Sequence, residues 1–329
     1  MDDPGANAYA SYDQAAVRFF DIAHEGAQLR TVAQATGRLS HLTGMRPRSV
    51  VIVATDSVAQ AAAHATVAWV GQLDVPVTVA RTLPAYVGAL DVVIVAGAEA
   101  SRERDLRALL TAAARGAEVI LAGPGQGLLI DDAPADTIHI PALPTAAGVS
   151  PARTVGVVGA VLGCLAQPAD FVAERLELIA DEVDAELQAL SPERDEAVNP
   201  GRQLRAYAEG ARVVHTGVGL ASEAVAQLAA AVWTSRGIAS GYLPADELPE
   251  AQDAANTGAG AVPRDVFYDP FIDGPSELVG LKAVVWACDG PEGLNANGAR
   301  VESVEDETAD PAARAMRLVT RAFAATALG

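Results

Sequence analysis

The run SVVIVATDS at residues 49–57 is apolar until it reaches a small polar turn, and helix-like sequence follows from Val58. A strand that is buried on both faces of a parallel sheet has this composition, whereas a strand with one face in water alternates polar and apolar residues. The turn at the C-terminal end of such a strand, where a helix begins, is a place where α/β proteins bind anions. The run therefore predicts a parallel α/β fold and a first candidate site at its polar turn.

Further apolar runs alternate with helical sequence along the chain, which is the pattern of doubly wound parallel sheets. The pattern falls into two weakly similar halves, with a wholly helical stretch from about 151 to 190 between them. We expect two domains: residues 1–165, with amphipathic N-terminal helices between Tyr12 and Leu42, and residues 166–329, with a linker helix. The predicted strands cover residues 49–55, 76–82, 91–97, 118–125, 136–143, 211–219, 281–290 and 299–305.

The composition is that of a folded globular protein with a large acidic excess. The 42 acidic and 23 basic residues give a net charge of −19, of which residues 151–329 carry −14 through 27 acids and 13 bases. Such a field repels nucleic-acid backbones and anionic membranes, but one or two arginines can still hold a small anion locally. No apolar run reaches the roughly 18–20 residues that cross a bilayer, and the N-terminus is acidic where a signal peptide is basic. We therefore expect a cytoplasmic protein.

The two cysteines and the glycine turns give no sign of a bound metal or cofactor. Cys164 and Cys288 lie in apolar sequence, without a CxxC spacing or a histidine at ligand spacing, so buried reduced thiols are expected. The turn GVG at residues 217–219 is too short for a dinucleotide fingerprint, since Ser222 stands where the third glycine is required. Neither a metal nor a cofactor is predicted.

Candidate ligand contacts in the first half lie at predicted C-terminal ends of strands, where open parallel sheets bind ligands. Thr55 and Ser57 bring hydroxyl and backbone N–H groups to a helix start. Ser57 also suits the N-cap of that helix, which by itself accounts for the residue. Ser101 and Arg102 follow the strand at residues 91–97, and the guanidinium there can pair with an anion.

In the second half, the candidate residues are a histidine and several carboxylates. His215 near a strand end offers an acid or a base, although a single histidine is more often structural. Glu223 lies in the first turn of the next helix, a position that the helix dipole explains. An acidic segment at residues 241–277 carries Glu247 but no histidine or cysteine, so it predicts a solvated loop beside a site and not a metal centre.

The order of these parts resembles that of the bifunctional phosphoglucose/phosphomannose isomerases over nearly the whole chain. The most specific matching stretches are LPAYVGALDVVIVAG at residues 83–97, PAR at residues 151–153 and NPGRQLRAYAEG at residues 199–210. The resemblance implies two sugar isomerase (SIS) domains, each a doubly wound parallel sheet, joined by helices. It also implies homodimers with sites at domain and subunit interfaces, and a sugar phosphate as the ligand.

The chain departs from this family at the turns and at the catalytic positions. The family has a glycine-rich turn where residues 54–57 read ATDS, and a Ser/Thr-rich phosphate loop where residues 96–103 read AGAEASRE. The family's glutamate in an Asn-Glu pair and its later histidine have no counterpart in residues 231–251. Aldose–ketose isomerisation needs a base, and its loss predicts a rate lower by on the order of 10²–10⁴.

The leading hypothesis is thus a divergent member of this family that binds a sugar phosphate or a related carbohydrate derivative. One alternative is an active glucose-6-phosphate/mannose-6-phosphate isomerase that uses replacement groups. In it, Glu223 or Glu247 moves the proton, His215 serves as a further acid or base, and Arg153 stabilises the enediolate. A second alternative is a dimeric scaffold or regulator that binds no sugar. The predicted ligand contacts are Thr55, Ser57, Ser101 and Arg102.

Overall fold

The computed structural model describes residues 16–256, 280–288, 298–304 and 310–329. The first half contains five parallel strands: β1 (Ser49–Ala54), β2 (Val77–Ala80), β3 (Asp91–Ala96), β4 (Glu118–Gly123) and β5 (Ile138–Pro141). Their order across the sheet is β2-β1-β3-β4-β5. Because the chain leaves β1 toward one neighbour and later returns on its other side, the switch point of this doubly wound sheet lies between β1 and β3.

The first sheet is buried on both faces, which explains the continuously apolar sequence of its strands. In β1, Val50 and Ile52 belong to the main apolar core, whereas Val51 and Val53 belong to a smaller core on the other face. Successive side chains of a strand point to opposite faces of the sheet. Both faces therefore require apolar residues, and no polar alternation remains.

The second half repeats this arrangement with four parallel strands among the described residues. They are β6 (Ala211–Gly217), β7 (Ser240–Tyr242), β8 (Gly280–Ala287) and β9 (Arg300–Ser303). Their order, β7-β6-β8-β9, is the same as that of the first four strands of the first sheet. The predicted pair of doubly wound sheets is therefore confirmed, and the second switch point lies between β6 and β8.

Helices separate the two sheets and cover the outer face of the first sheet. The described helices are α1 (Glu25–Ala35), α2 (Ser57–Val70), α3 (Glu103–Ala114), α4 (Leu128–Asp131), α5 (Pro151–Ala166), α6 (Ala169–Ala189), α7 (Pro200–Ala208), α8 (Leu220–Ser235), α9 (Leu248–Asn256) and α10 (Pro311–Ala325). Helices α1, α2, α5, α6, α8 and α10 pack on one another and build the main core with both sheets. Helices α3 and α4 pack on the opposite face of the first sheet. The expected domain boundary at residue 165 falls at the end of α5 and stays a prediction.

Helix α2 connects the two halves by packing along α8. The indole N–H of Trp69, close to the end of α2, donates to the backbone oxygen of Ala221 at the start of α8 (3.2 Å). Since α2 begins at the C-terminal edge of the first sheet and α8 at that of the second, these two edges lie at opposite ends of α2. Its 14 residues span about 20 Å.

Several local predictions need correction. Asp56, and not Ser57, is the N-cap of α2, because its carboxylate accepts from the backbone N–H of Ala59 in the first helical turn. The segment 241–277 is not entirely a loop, since it contains the end of β7 and the helix α9, and residues 257–277 lie outside the described residues. Strands β2 and β5 are shorter than predicted, at four residues each, because they are the edge strands of the sheet and pair on one side only.

The N-terminal helices reduce to α1 with a 3₁₀ turn on either side, at Ile22–His24 and Thr36–Leu42, and residues 12–15 lie outside the described part. Cys164 and Cys288 are buried, as predicted. Within the described ranges, no helix is long and apolar enough to cross a bilayer. The His, Cys, Asp and Glu side chains of those ranges form no group of three or more that could hold a metal ion.

Candidate functional site

The turns that follow β1 and β3 meet at the switch point of the first sheet, where doubly wound folds bind ligands. Residues 55–57 form one turn and residues 97–102 form the other. The two are joined by Arg102, whose Nη1 donates to the backbone oxygen of Thr55 (2.7 Å). All four predicted ligand contacts therefore lie on these two adjoining turns, although their role in binding stays a prediction.

Asp56 uses both carboxylate oxygens to hold the two turns together. Its Oδ1 accepts from the backbone N–H of Ala59 in the first turn of α2 (2.8 Å), and its Oδ2 accepts from the backbone N–H of Ala98 (2.8 Å). A helix start and a loop N–H are the groups that hold an anion in many α/β proteins. Here the protein's own carboxylate takes that place.

Gly97 permits this close approach of the turns. It has φ of +144°, and a Cβ at this position would overlap the Thr55 hydroxyl and the Asp56 carboxylate. Glycine is the residue that adopts such a backbone conformation without a steric penalty. The turn geometry and the Asp56 hydrogen bond therefore both depend on Gly97.

Glu99 satisfies the second turn in the same way. Its Oε1 accepts from the backbone N–H of Ser101 (2.9 Å) and from the Ser101 hydroxyl (2.5 Å), and its Oε2 lies 3.6 Å from Arg102 Nη2. The hydrogen bonds from Ser101 lower the pKa of the Glu99 carboxyl. The hydroxyl and the guanidinium that were expected to contact a ligand are thus engaged with the protein's own carboxylate.

Arg153 lies in the first turn of α5, and its buried side chain has few hydrogen-bond partners among the described residues. The residue is 1% exposed, and its backbone N–H donates to Ser150, the N-cap of α5 (3.0 Å). Nη2 donates to the backbone oxygen of Gly148 (3.3 Å). Nε and Nη1 are buried without a hydrogen-bond partner in the described part of the chain. Buried donors of a charged group cost free energy unless an acceptor is supplied, so these N–H groups are suited to donate to a ligand or a water molecule.

Glu25 of α1 is a carboxylate whose charge interacts with that of Arg153. Its Oε2 accepts from the backbone N–H of Ala152 at the start of α5 (2.8 Å), while Oε1 is buried without a partner among the described residues. Burial raises the pKa of the Glu25 carboxyl to about 7. The same burial lowers the pKa of Arg153, and the charges of Glu25 and Asp56 act in the opposite direction.

The charges of Glu25 and Asp56 act on Arg153, and these residues, with Thr55 beside Asp56, form a polar cluster at the C-terminal edge of the first sheet. The hydroxyl of Thr55 at the end of β1 is also buried without a partner among the described residues. The cluster, defined by Glu25, Thr55, Asp56 and Arg153, offers guanidinium donors, a hydroxyl and a carboxyl group that can gain or lose a proton near neutral pH. Such a set can bind an oxygen-rich anion and exchange a proton with it.

His215 of β6 is enclosed by two tryptophans. Trp286 Nε1 donates to His215 Nδ1 (3.1 Å), and the ring of Trp233 meets the imidazole edge-on with centroids 4.8 Å apart. His215 is fully buried, and this burial lowers its pKa to about 3. Because Nδ1 accepts, Nε2 carries the proton of the neutral ring. The proposed acid/base role of His215 stays a prediction, but its surroundings disfavour the protonated form.

Glu223 and Glu247 also belong to the second half. Glu223 is half-buried in the first turn of α8, and Glu247 is exposed in the turn before α9. Since the C-terminal edges of the two sheets lie at opposite ends of α2, about 20 Å apart, Glu223 is remote from Arg153 within one chain. The predicted catalytic residues therefore do not form one intrachain cluster with Arg153.

Sequence reasoning missed Glu25 and the two hydrogen bonds of Asp56. A glutamate at the start of a helix is explained by the helix dipole, so Glu25 gave no signal of its own beyond lying in the N-terminal helix. The sequence shows that residues 54–57 depart from a glycine-rich turn, but only the structure shows that the Asp56 carboxylate accepts from the backbone N–H groups of Ala59 and Ala98. Only the contact between distant segments reveals either role.

Comparisons with known proteins bear on the fold. No protein-family model and no curated protein matches the chain. Among solved structures, it is similar to tagatose-6-phosphate ketose/aldose isomerase from Escherichia coli, with a TM-score of 0.62 and 12% identity over 95% of this chain and 94% of that one. It is also similar to the C-terminal domain of glucosamine-fructose-6-phosphate aminotransferase from Francisella tularensis, with a TM-score of 0.60 and 14% identity over 94% of both chains. The chain thus has the fold of these SIS proteins, two doubly wound parallel sheets joined by helices.

Proposed function

We propose that this chain binds a small sugar phosphate, or a closely related carbohydrate derivative, at the C-terminal edge of its first sheet. The observation that carries the proposal is the buried guanidinium of Arg153, with two N–H donors that no described residue accepts. A phosphorylated sugar supplies anionic and hydroxyl oxygens, and a guanidinium binds such oxygens in paired geometry. Arg153 is thus the anchor of the ligand.

The names of the similar structures agree with this ligand class. One acts on tagatose 6-phosphate and the other carries fructose 6-phosphate in its name. The resemblance of the sequence to phosphoglucose/phosphomannose isomerases leads in the same direction. In keeping with it, we propose a divergent member of that family that works as a cytoplasmic homodimer.

The ligand's anionic group is oriented differently from a phosphate held by a Ser/Thr loop. Asp56 and Glu99 already occupy the backbone N–H groups of Ala59, Ala98 and Ser101. A second anion on those groups would meet two carboxylates at close range. The anionic group therefore binds toward Arg153 and leaves the turns closed.

Titration calorimetry with mannose 6-phosphate and glucose 6-phosphate tests the proposal. We expect binding by the wild type, and a loss of at least about tenfold in affinity in Arg153→Met. Arg153→Lys keeps the charge without the planar fork and should bind with intermediate affinity. Arg194→Met is the matched control, because Arg194 is exposed on the turn after α6. Absence of binding at millimolar ligand would favour the scaffold hypothesis. Full binding by Arg153→Met would show that Arg153 is not the anchor of the ligand.

An active isomerase is the second candidate, and Glu25 is the observation that favours it. A carboxyl with a pKa of about 7 beside an arginine has the proton affinity that a general base needs near neutral pH. An assay that follows the interconversion of mannose 6-phosphate and fructose 6-phosphate decides between binding and catalysis. Turnover that disappears in Glu25→Gln while binding remains would establish the enzyme.

A further inference from the structure

A groove with three arginines lies on the other side of the first sheet from Arg153. It runs between α3 and the connector that follows β2, has a volume of about 300 Å³, and contains Thr82, Arg104, Arg107, Thr111 and Arg115. We call these five residues the arginine groove. Helix α3 packs on the outer face of the sheet, whereas α5, which carries Arg153, packs in the layer between the sheets. The two sites are therefore separate.

The arginines of the groove follow the repeat of one helix face. Arg104, Arg107, Thr111 and Arg115 are spaced by three, four and four residues along α3 and its end. Side chains at such spacing are neighbours on a helix surface, and like charges there repel one another. A stripe of this kind costs stability unless an anion neutralises it.

The protein's own acids neutralise only part of this charge. Arg104 pairs with the buried carboxylate of Asp105 (2.8 Å), which leaves three arginines facing one carboxylate. Arg107 is exposed and has no ion pair within the described residues, and Glu103, one turn before it, does not reach it. In a chain with a net charge of −19, an unneutralised basic groove is a specific local feature.

Part of the groove is already held in a fixed geometry. Arg115 Nη1 donates to the backbone oxygens of Ala85 (3.2 Å) and Val87 (3.4 Å) in the connector. This contact orients one guanidinium before any ligand arrives, which reduces the entropy lost on binding. The hydroxyls of Thr82 and Thr111 add donors on the two walls.

We propose that the arginine groove binds a small phosphorylated anion of the diphosphate class. Three guanidinium groups and two hydroxyls offer more hydrogen-bond donors than the oxygens of one phosphate group can accept. Two adjoining phosphate groups can each bind a different arginine. A long polyanion is excluded as the ligand because the rest of the acidic surface repels it. The site is independent of the sugar-phosphate function proposed above.

Calorimetry with pyrophosphate, and with inorganic phosphate for comparison, tests the groove. We expect pyrophosphate to bind more tightly than phosphate, and Arg107→Gln to weaken pyrophosphate binding by about tenfold. Arg107 is chosen because its side chain forms no hydrogen bond or ion pair with the described residues. Arg194→Gln removes the same charge elsewhere and should leave the affinity unchanged. Raising the salt concentration should weaken pyrophosphate binding by the wild type and by Arg194→Gln.

Arg153→Lys distinguishes this site from the first one. Pyrophosphate affinity that is unaffected in Arg153→Lys and reduced in Arg107→Gln supports the groove. Affinity that falls in Arg153→Lys and stays unchanged in Arg107→Gln assigns the binding to the first site and overturns the proposal. No detectable pyrophosphate binding by the wild type overturns it as well.

Discussion

The carboxylate of Asp56 accepts a hydrogen bond from the backbone N–H of Ala98 across the switch point of the first sheet (2.8 Å). Its other oxygen caps α2 at Ala59 (2.8 Å). A single side chain thus supplies the negative charge that a helix start otherwise takes from a bound anion. The turns keep the arrangement of an anion site while their donors are satisfied from within the chain.

Replacing Asp56 should open this site to phosphate. In Asp56→Ser the hydroxyl can still cap α2, but the hydrogen bond from the backbone N–H of Ala98 is lost. We therefore expect the free energy of unfolding to fall by about 1 kcal/mol. Affinity for mannose 6-phosphate should rise severalfold, because a carboxylate no longer repels the phosphate. Urea unfolding and calorimetry measure the two effects.

Asp310→Ser is the control for the lost cap. Asp310 caps α10 through the N–H of Ala312 (2.8 Å) and pairs with Arg175, far from the first-sheet turns in sequence. The Asp310→Ser substitution should lower the free energy of unfolding without raising the affinity for the sugar phosphate. Equal affinities in Asp56→Ser and the wild type would show that the carboxylate does not exclude phosphate.

Gly97→Ala should destabilise the fold strongly. The new methyl group would overlap the Thr55 hydroxyl and the Asp56 carboxylate, at a φ of +144° that alanine rarely adopts. We expect a loss of roughly 1–3 kcal/mol in the free energy of unfolding. Gly88→Ala is the matched control, since a Cβ at Gly88 meets nothing within 4 Å. A Gly97→Ala protein as stable as Gly88→Ala would contradict the turn geometry.

Glu25 should make stability fall as the pH rises toward neutrality. Its folded pKa of about 7 lies above the reference value of 4.5, so between these values the folded protein binds the extra proton. The stabilisation from neutral Glu25 is complete below pH 4.5 and is lost as the pH rises to about 7, with a total of roughly 3 kcal/mol.

Urea unfolding of Glu25→Gln at pH 5, 6, 7 and 8 measures this contribution. The glutamine side chain oxygen can still accept from the N–H of Ala152, so the variant should fold. We expect its stability to depend less on pH than that of the wild type over this range. Parallel profiles of the two proteins would rule out a raised pKa for Glu25.

His215 should remain neutral well below the ordinary histidine range. Burial lowers the pKa of His215 to about 3. The contribution of the neutral imidazole to the free energy of unfolding is therefore complete above pH 6.5. It is lost as the pH falls toward 3, at about 1 kcal/mol per pH unit. Nitrogen NMR of the imidazole at pH 5 should show a neutral ring protonated at Nε2. Titration of His215 near pH 6.5 would instead suit a proton shuttle.

The pattern of apolar runs was sufficient to predict the two parallel sheets, because a strand buried on both faces consists mostly of apolar residues. Val50 to Val53 illustrate this, since each face of β1 meets its own core. Edge strands were predicted less well: β7, with three half-buried residues, has too short a pattern to be distinguished from a loop.

The sequence by itself determined the fold class, the duplication and the two turns at the end of β1 and β3. Only the tertiary structure decided what those turns do, since Asp56 reaches Ala98 from 42 residues away and Glu25 meets Ala152 from 127 residues away. The physical reason is that periodicity reports which side chains are buried, whereas charge pairing and unpartnered donors depend on which segments meet. Arg153 was chosen from a resemblance, but its buried, unsatisfied guanidinium is a property of the folded chain alone.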